Sequence, residues 1–447
     1  MSSLNDIRIF IVLFFISIHT YLAYSYSTPA SDINYYSNIS NNYCQAFYYN
    51  QEFNYSDVEY PPLTILWMSI PGLIVGPASF NNVQWLITFK TLYLIFHCII
   101  FLSINNKPKN NLLPRIIYTL SGIFLLNFLY DRQDLWLGGL ILFGVIALIK
   151  KTHWTIPLLV LAIGINFKLV PIILIPLFII GGIANGLVKQ SIFTRKIFWV
   201  MSKRLLIIIG FTLLIFLPFY LWGGDGTLYF LSYHRDRGLQ LESTYSSILM
   251  ALHYAGLPVH VGHGFGAYNL ESPIAGILAR LSPFLLVTLI LYLFYILIKY
   301  LLYRSRIPQN YLQDEKHDKL TLAQTYPQAF ITIAIAILLG SICVSKVLSP
   351  QYLLWLPGLY AMLNYDSRYQ KISGYLFLAA CALTTPIFPY LYYTEFVHDS
   401  SGYSTWAAPT PLATILLLSR NSLLVGSLIY LVKSLGKRKE NLSISTL

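Results

Sequence analysis

The chain has 447 residues, 56% of them hydrophobic and only 11% charged, and a net charge of +12. That composition excludes a soluble globular domain. Apolar runs able to cross a hydrocarbon core about 30 Å thick recur along nearly the whole length, so the sequence predicts an all-α polytopic membrane protein without a large soluble domain.

The first run, Ile7 to Tyr24, is too long for a signal-peptide core and lacks a small-residue cleavage site, so it reads as a retained span. Further spans are expected at 83–104, 112–129, 134–149, 153–165, 167–184, 205–223, 283–302, 327–345, 350–364, 372–394 and 408–433, twelve in all. Pro61 to Val75 stays out of this count, because including it would place Lys107, Lys109, Lys150 and Lys151 on the outer side. Pro61 and Pro62 suit a helix start and Pro71-Gly72 interrupts the run, so it reads as a re-entrant or interfacial helix after the first outer loop. The expected layout is one membrane domain over 1–447, with outer loops at 25–82 and 224–282 and a cytoplasmic loop at 303–326. Both termini fall in the cytoplasm, on the side that collects most of the 30 Lys and Arg. The pI of about 9.3 thus follows from orientation and anionic lipid rather than from nucleic acid. Cys44, Cys98, Cys343 and Cys381 lack CxxC spacing and indicate neither a zinc site nor a disulfide framework.

With this topology the unusual polar clusters fall on the outer side: Asp32; Asp57, Glu59 and Tyr60; Asp131, Arg132 and Asp134; Asn166 and Lys168; Tyr233 to Ser243; Lys346 to Tyr352. Ionisable groups near membrane depth are costly and normally face one another or a wet cavity, so these clusters are expected to converge on one pocket.

The elements Asp32-Ile-Asn-Tyr, Glu59-Tyr60-Pro61-Pro62-Leu63, Asn166-Phe167-Lys168-Leu169-Val170-Pro171, Tyr233-His234-Arg235-Asp236-Arg237-Gly238 and Ser345 to Trp355 resemble, in the same order, those of polyprenyl-phosphate-sugar-dependent glycosyltransferases of the GT-C superfamily. The similarity is greatest to bacterial and archaeal membrane mannosyl- and arabinofuranosyltransferases and to the catalytic subunit of the first GPI mannosyltransferase. It runs from about Asp32 to Arg420-Asn421. The resemblance implies a GT-C-like helical bundle, a polyprenyl- or dolichyl-phosphate sugar donor, a glycan or lipid acceptor and a small membrane subunit as a potential partner. It places the chain in a prokaryotic plasma membrane or a eukaryotic endoplasmic reticulum. The first-loop signature of the GPI enzyme is Asp-x-Asp, whereas Asn34 stands at the second position here. A bound divalent metal is therefore doubtful.

The chemistry of such a transfer asks for a base at the acceptor hydroxyl and for cations at the departing phosphate. Asp32 is the expected base, with inversion at the anomeric carbon; a lone loop Asp more often caps a helix, and the surrounding family pattern reverses that preference. His234, Arg235 and Arg237 are expected at the donor phosphate, where the Arg fork matches phosphate oxygens. Lys346 is a second phosphate candidate, or a lysine snorkelling at a helix end. Lys168 faces the cavity or snorkels. Asp131 and Asp134, with Arg132, form a self-paired turn or part of the acceptor pocket, with the self-paired turn preferred. Glu59, Tyr60, Gln351 and Tyr352 complete the expected substrate pocket. His260 and His263 have a tempting spacing but no matching acid or Cys, and read as loop residues. Asn38-Ile-Ser40 and Asn54-Tyr-Ser56 are N-glycosylation sequons. A twelve-span transporter or flippase of lipid-linked sugars is the alternative; the absence of half-to-half similarity and the gathering of ionisable residues at one face favour the enzyme.

Overall fold

The computed structural model describes residues 2–25, 32–56, 58–76, 82–105, 112–190, 194–306, 319–397 and 408–436. In chain order its main helices are α1 (Ser2–Ser25), α2 (Ile33–Tyr48), α3 (Pro62–Val75), α4 (Asn82–Asn105), α5 (Leu113–Phe124), α6 (Asp134–Ile149) and α7 (Ile156–Phe167). They are followed by α8 (Arg195–Gly223), α9 (Tyr229–Asp236), α10 (Thr244–His253), α11 (Ala275–Arg306), α12 (Pro327–Val344), α13 (Arg368–Thr385) and α14 (Pro411–Gly436). Between α10 and α11 lies an antiparallel hairpin, β1 (His260–Gly264) with β2 (Ala267–Glu271), so the long connection expected at 224–282 carries regular structure.

Among the described residues, six helices are long and apolar enough to cross a membrane: Val83–Ile104, Arg195–Tyr233, Ala275–Arg304, Pro327–Val344, Arg368–Phe396 and Pro411–Gly436. Shorter apolar helices accompany them, among them Asp134–Ile149 and Ile156–Phe167. The most apolar of these helices differ in surroundings. Only 6% of the apolar window of α8 is buried, leaving Leu206, Leu213, Leu214 and Leu221 exposed, whereas 78% of α12 is buried. An outward face of bare leucines suits lipid tails and not water. Helix α12 can lie inside because small residues let its neighbours close in: Gly340 meets Leu289 of α11 and Leu428 of α14.

The stretch 350–364 is not a continuous helix. It forms a 3-10 turn, Pro350–Trp355, and a four-residue helix, Pro357–Tyr360. Pro350 and Pro357 break any longer ladder, and the continuous helix expected there is corrected to a buried stretch of irregular backbone. The run set aside from the span count is helix α3, which starts with Pro62 in its first turn.

Helices α13 and α14 are joined by hydroxyls within the apolar core. Tyr360 Oη lies 2.7 Å from Ser427 Oγ and 3.1 Å from Ser373 Oγ, and Ser427 donates to the Ser373 carbonyl at 2.8 Å. A smaller apolar core, built from Leu239, Leu241, Met250, Val261 and Leu270, packs the hairpin and α10 against Leu417 of α14.

Candidate functional site

The turn before α6 organises the site. Asp134 sits in the first turn of α6, where a carboxylate meets the positive end of the helix dipole. Its Oδ1 accepts from Lys168 Nζ and from Trp355 Nε1, each at 2.7 Å. Lys168 stands at the end of α7 in extended backbone, and Pro171 bars continuation of the helix. Its ammonium lies 4.8 Å from the centroid of Tyr352 and 5.5 Å from that of Trp355, over two stacked rings.

The self-paired reading of Asp131, Arg132 and Asp134 is corrected. Asp131, almost fully buried, faces Lys90 of α4 at 3.6 Å. Arg132 pairs with Asp32, just ahead of α2. Asp134 pairs with Lys168. Three charged residues of one turn thus tie three separate parts of the chain together, because successive positions in a turn point in different directions.

A cavity of about 510 Å³ opens beside this turn. Asp32, Glu59, Tyr60, Lys168, Arg237, Gln351 and Tyr352 all line it. Asp131 and Asp134 do not; Asp134 stands behind Lys168 and holds it in place. Lys346 lies instead on an adjoining groove of about 310 Å³, lined by Leu169, Val170, Ile173, Leu286, Ile342 and Val347, and donates to the Arg237 carbonyl at 2.6 Å. Lys168, Arg237 and Tyr352 line both spaces. The side chains of His234 and Arg235, and the whole of Asp57, lie outside the described residues. His260 and His263 stand on β1, with Glu271 and Tyr268 opposite.

Burial raises the Glu59 carboxyl above its ordinary range, opposed by the Tyr233 hydroxyl and by the charges of Arg237 and Lys168. Tyr60 shares a 3.1 Å hydroxyl contact with Tyr36, and burial pushes its phenol up. Arg132 falls to about 10 through burial, opposed by Asp134 and Tyr393, and stays charged at neutral pH. Asp32 carries the Arg132 guanidinium on one carboxylate oxygen, and Asn34 is exposed on α2.

No protein-family model matches the chain, and no curated protein and no solved structure matches it.

The sequence did not mark Arg132 as the partner of Asp32, and it held Gln240 and Glu242 only as unassigned members of the Tyr233 to Ser243 cluster; both line the cavity with Tyr268, Tyr392 and Tyr393. A signal was present for Glu242. Arg420 lies inside an apolar helix, and an intramembrane Arg announces a buried acidic partner. That partner is Glu242, whose Oε2 lies 2.5 Å from Arg420 Nη1, while Arg420 Nη2 and Asn421 Nδ2 donate to its carbonyl.

Proposed function

We propose that the chain is an integral membrane glycosyltransferase, and specifically a mannosyltransferase, that moves a sugar from a polyprenyl- or dolichyl-phosphate donor to a glycan or lipid acceptor. One observation carries this reading: an apolar groove meets a charged cavity at Lys168, Arg237 and Tyr352. An amphiphile with a long apolar tail, an anionic linker and a polar head fits that pair of spaces, its tail in the groove, its phosphate at the cations and its sugar in the cavity. Lys346, beside Arg237 on the groove wall, adds positive charge at the junction.

In this reading the acceptor oxygen attacks the anomeric carbon from the face opposite the phosphate, with inversion. The carbon–oxygen bond to the phosphate breaks, and its electron pair leaves with the phosphate, whose charge Lys168 and Arg237 offset. The acceptor's proton passes to Asp32. Arg132 holds one carboxylate oxygen of Asp32, and the other is left for the hydroxyl. Glu59 and Tyr60 flank the sugar on the wall formed ahead of α3, and Gln351 with Tyr352 closes the side next to Lys168. A multi-span helical bundle with the cavity on the outer or luminal face completes the proposed arrangement.

The test is transfer from radiolabelled polyprenyl-phosphate mannose to a panel of acceptors by the purified protein in lipid nanodiscs. Wild type is expected to transfer, and Asp32→Asn to lose roughly 10²–10⁴-fold in rate. Equal rates remove Asp32 as the base; no transfer from any polyprenyl-linked sugar removes the proposal.

A further inference from the structure

We infer that the cavity contains a charge-balanced subsite for a neutral, polyhydroxylated sugar, with Glu242 and Gln240 as its polar contacts. In the glycosyl-transfer reading, on which this rests, it is the acceptor side.

The charged groups of the cavity fall into two sets. Lys168 and Arg237 stand where the groove enters, and their charges reach Glu59. Gln240, Glu242, Tyr268, Tyr392 and Tyr393 line the cavity but not the groove. Both acids on this second side are neutralised by direct partners, Glu242 by Arg420 and Asp32 by Arg132. A phosphate or an ammonium finds no uncompensated charge there, and a neutral ligand does not need one.

Unused hydrogen-bonding capacity does remain. Among the described residues, Arg420 is the one hydrogen-bond partner of the Glu242 carboxylate. Gln240 is only 5% exposed, and its side-chain amide makes no hydrogen bond among the described residues; Oε1 is the enclosed end, which leaves Nε2 as the donor for the cavity. A carboxylate that accepts and an amide that donates suit a ligand whose hydroxyls do both. Aromatic faces lie alongside: the Tyr268 and Tyr392 rings are 5.9 Å apart and inclined at 60°. Hydroxyl donors on one edge and C–H faces on the other are the two chemistries of a sugar ring.

The backbone carrying these groups is pinned on every side. Gln240 N–H donates to the Lys346 carbonyl at 2.9 Å, Leu241 N–H to the Tyr268 carbonyl at 3.0 Å, and Ser243 caps α10. Arg420 and Asn421 hold the Glu242 carbonyl from below. A turn fixed in this way presents its side chains without reorganising when a ligand binds.

The experiment is saturation-transfer NMR on the full chain in nanodiscs, without donor, using neutral mono- and disaccharides beside sugar phosphates and uronic acids. Neutral sugars are expected to receive saturation from wild type, and Glu242→Gln and Gln240→Leu to weaken their binding by about 10-fold. In transfer assays Gln240→Leu is expected to raise the acceptor KM and leave the donor KM in place. Equal saccharide binding by wild type and Gln240→Leu, no binding by wild type, or a donor KM rising in step with the acceptor KM overturns the subsite. If Glu242→Gln does not fold, Gln240→Leu decides, since its side chain is not tied to Arg420. Neutral-sugar binding that persists without any transfer from a polyprenyl-linked sugar supports the subsite and sinks only the proposed reaction.

Discussion

Two ionic assemblies lie against the same cavity, and they are built in opposite ways. In the turn before α6, Asp131, Arg132 and Asp134 reach out to Lys90, Asp32 and Lys168, three partners on three different elements. At the other, Glu242, Arg420 and Asn421 close on one another, with both charged side chains at most 2% exposed. The first set keeps a foot in the cavity, since the Asp32 and Lys168 side chains are 33% and 15% exposed. The second is sealed apart from the edge of Glu242 that lines the wall. Pairing that stays partly solvated can exchange a protein partner for a ligand, whereas a fully desolvated pair mainly fixes geometry.

Removing one member from each assembly tests that contrast, and the sealed pair is expected to respond most. Arg420→Met leaves the Glu242 carboxylate buried without its cation, and a loss of about 3–5 kcal/mol in stability is expected by thermal unfolding in detergent. Lys168→Met removes the cation above Tyr352 and should raise the donor KM by roughly 10–100-fold; it leaves the buried Asp134 carboxylate with Trp355 Nε1, so a loss of about 1–3 kcal/mol in stability is expected beside it. Arg132→Gln is expected to cost about 1 kcal/mol or less in stability, because its pair is partly open to solvent. Comparable destabilisation by Arg132→Gln and Arg420→Met would abolish the distinction between the two assemblies.

The smallest effect concerns Glu59. Its carboxyl binds a proton more readily in the folded chain than in the unfolded one. The native state therefore gains stability as pH falls through that raised value towards the ordinary carboxylate range of about 4.3, below which the gain is complete. Glu59→Gln should remove this pH dependence and raise the unfolding temperature at neutral pH by about 2 °C. An unchanged pH profile in Glu59→Gln would place the titration elsewhere.

Much of the helical layout was legible because apolar runs long enough to form helices announce themselves by composition alone. The difference at 350–364 has a local cause: the residues are apolar and buried among other helices, but Pro350 and Pro357 prevent a single helix. At the site, Asp32, Glu59, Lys168, Arg237 and Tyr352 could be picked out because ionisable or amphipathic residues flank apolar runs, and they do share one cavity. Their partners could not be read in the same way. Asp32 meets Arg132 and Asp134 meets Trp355 across 100 or 221 positions, and no local spacing encodes such a pairing. Glu242 shares that cause, its partner Arg420 being 178 positions away in α14; the Arg inside an apolar helix announced an acid without saying which.

Between hydrocarbon tails, an apolar side chain gains little by choosing one helix height over another, so leucines hold α14 in the bundle without saying how high it should sit. The hydroxyl contacts of Ser427 do say so, and Arg420 and Asn421 say it again about 10 Å along the same helix. Two directional fastenings on one rod fix its vertical register and its tilt together. A slip of one helical turn, about 5.4 Å, would break both at once and carry the floor beneath Glu242 with it.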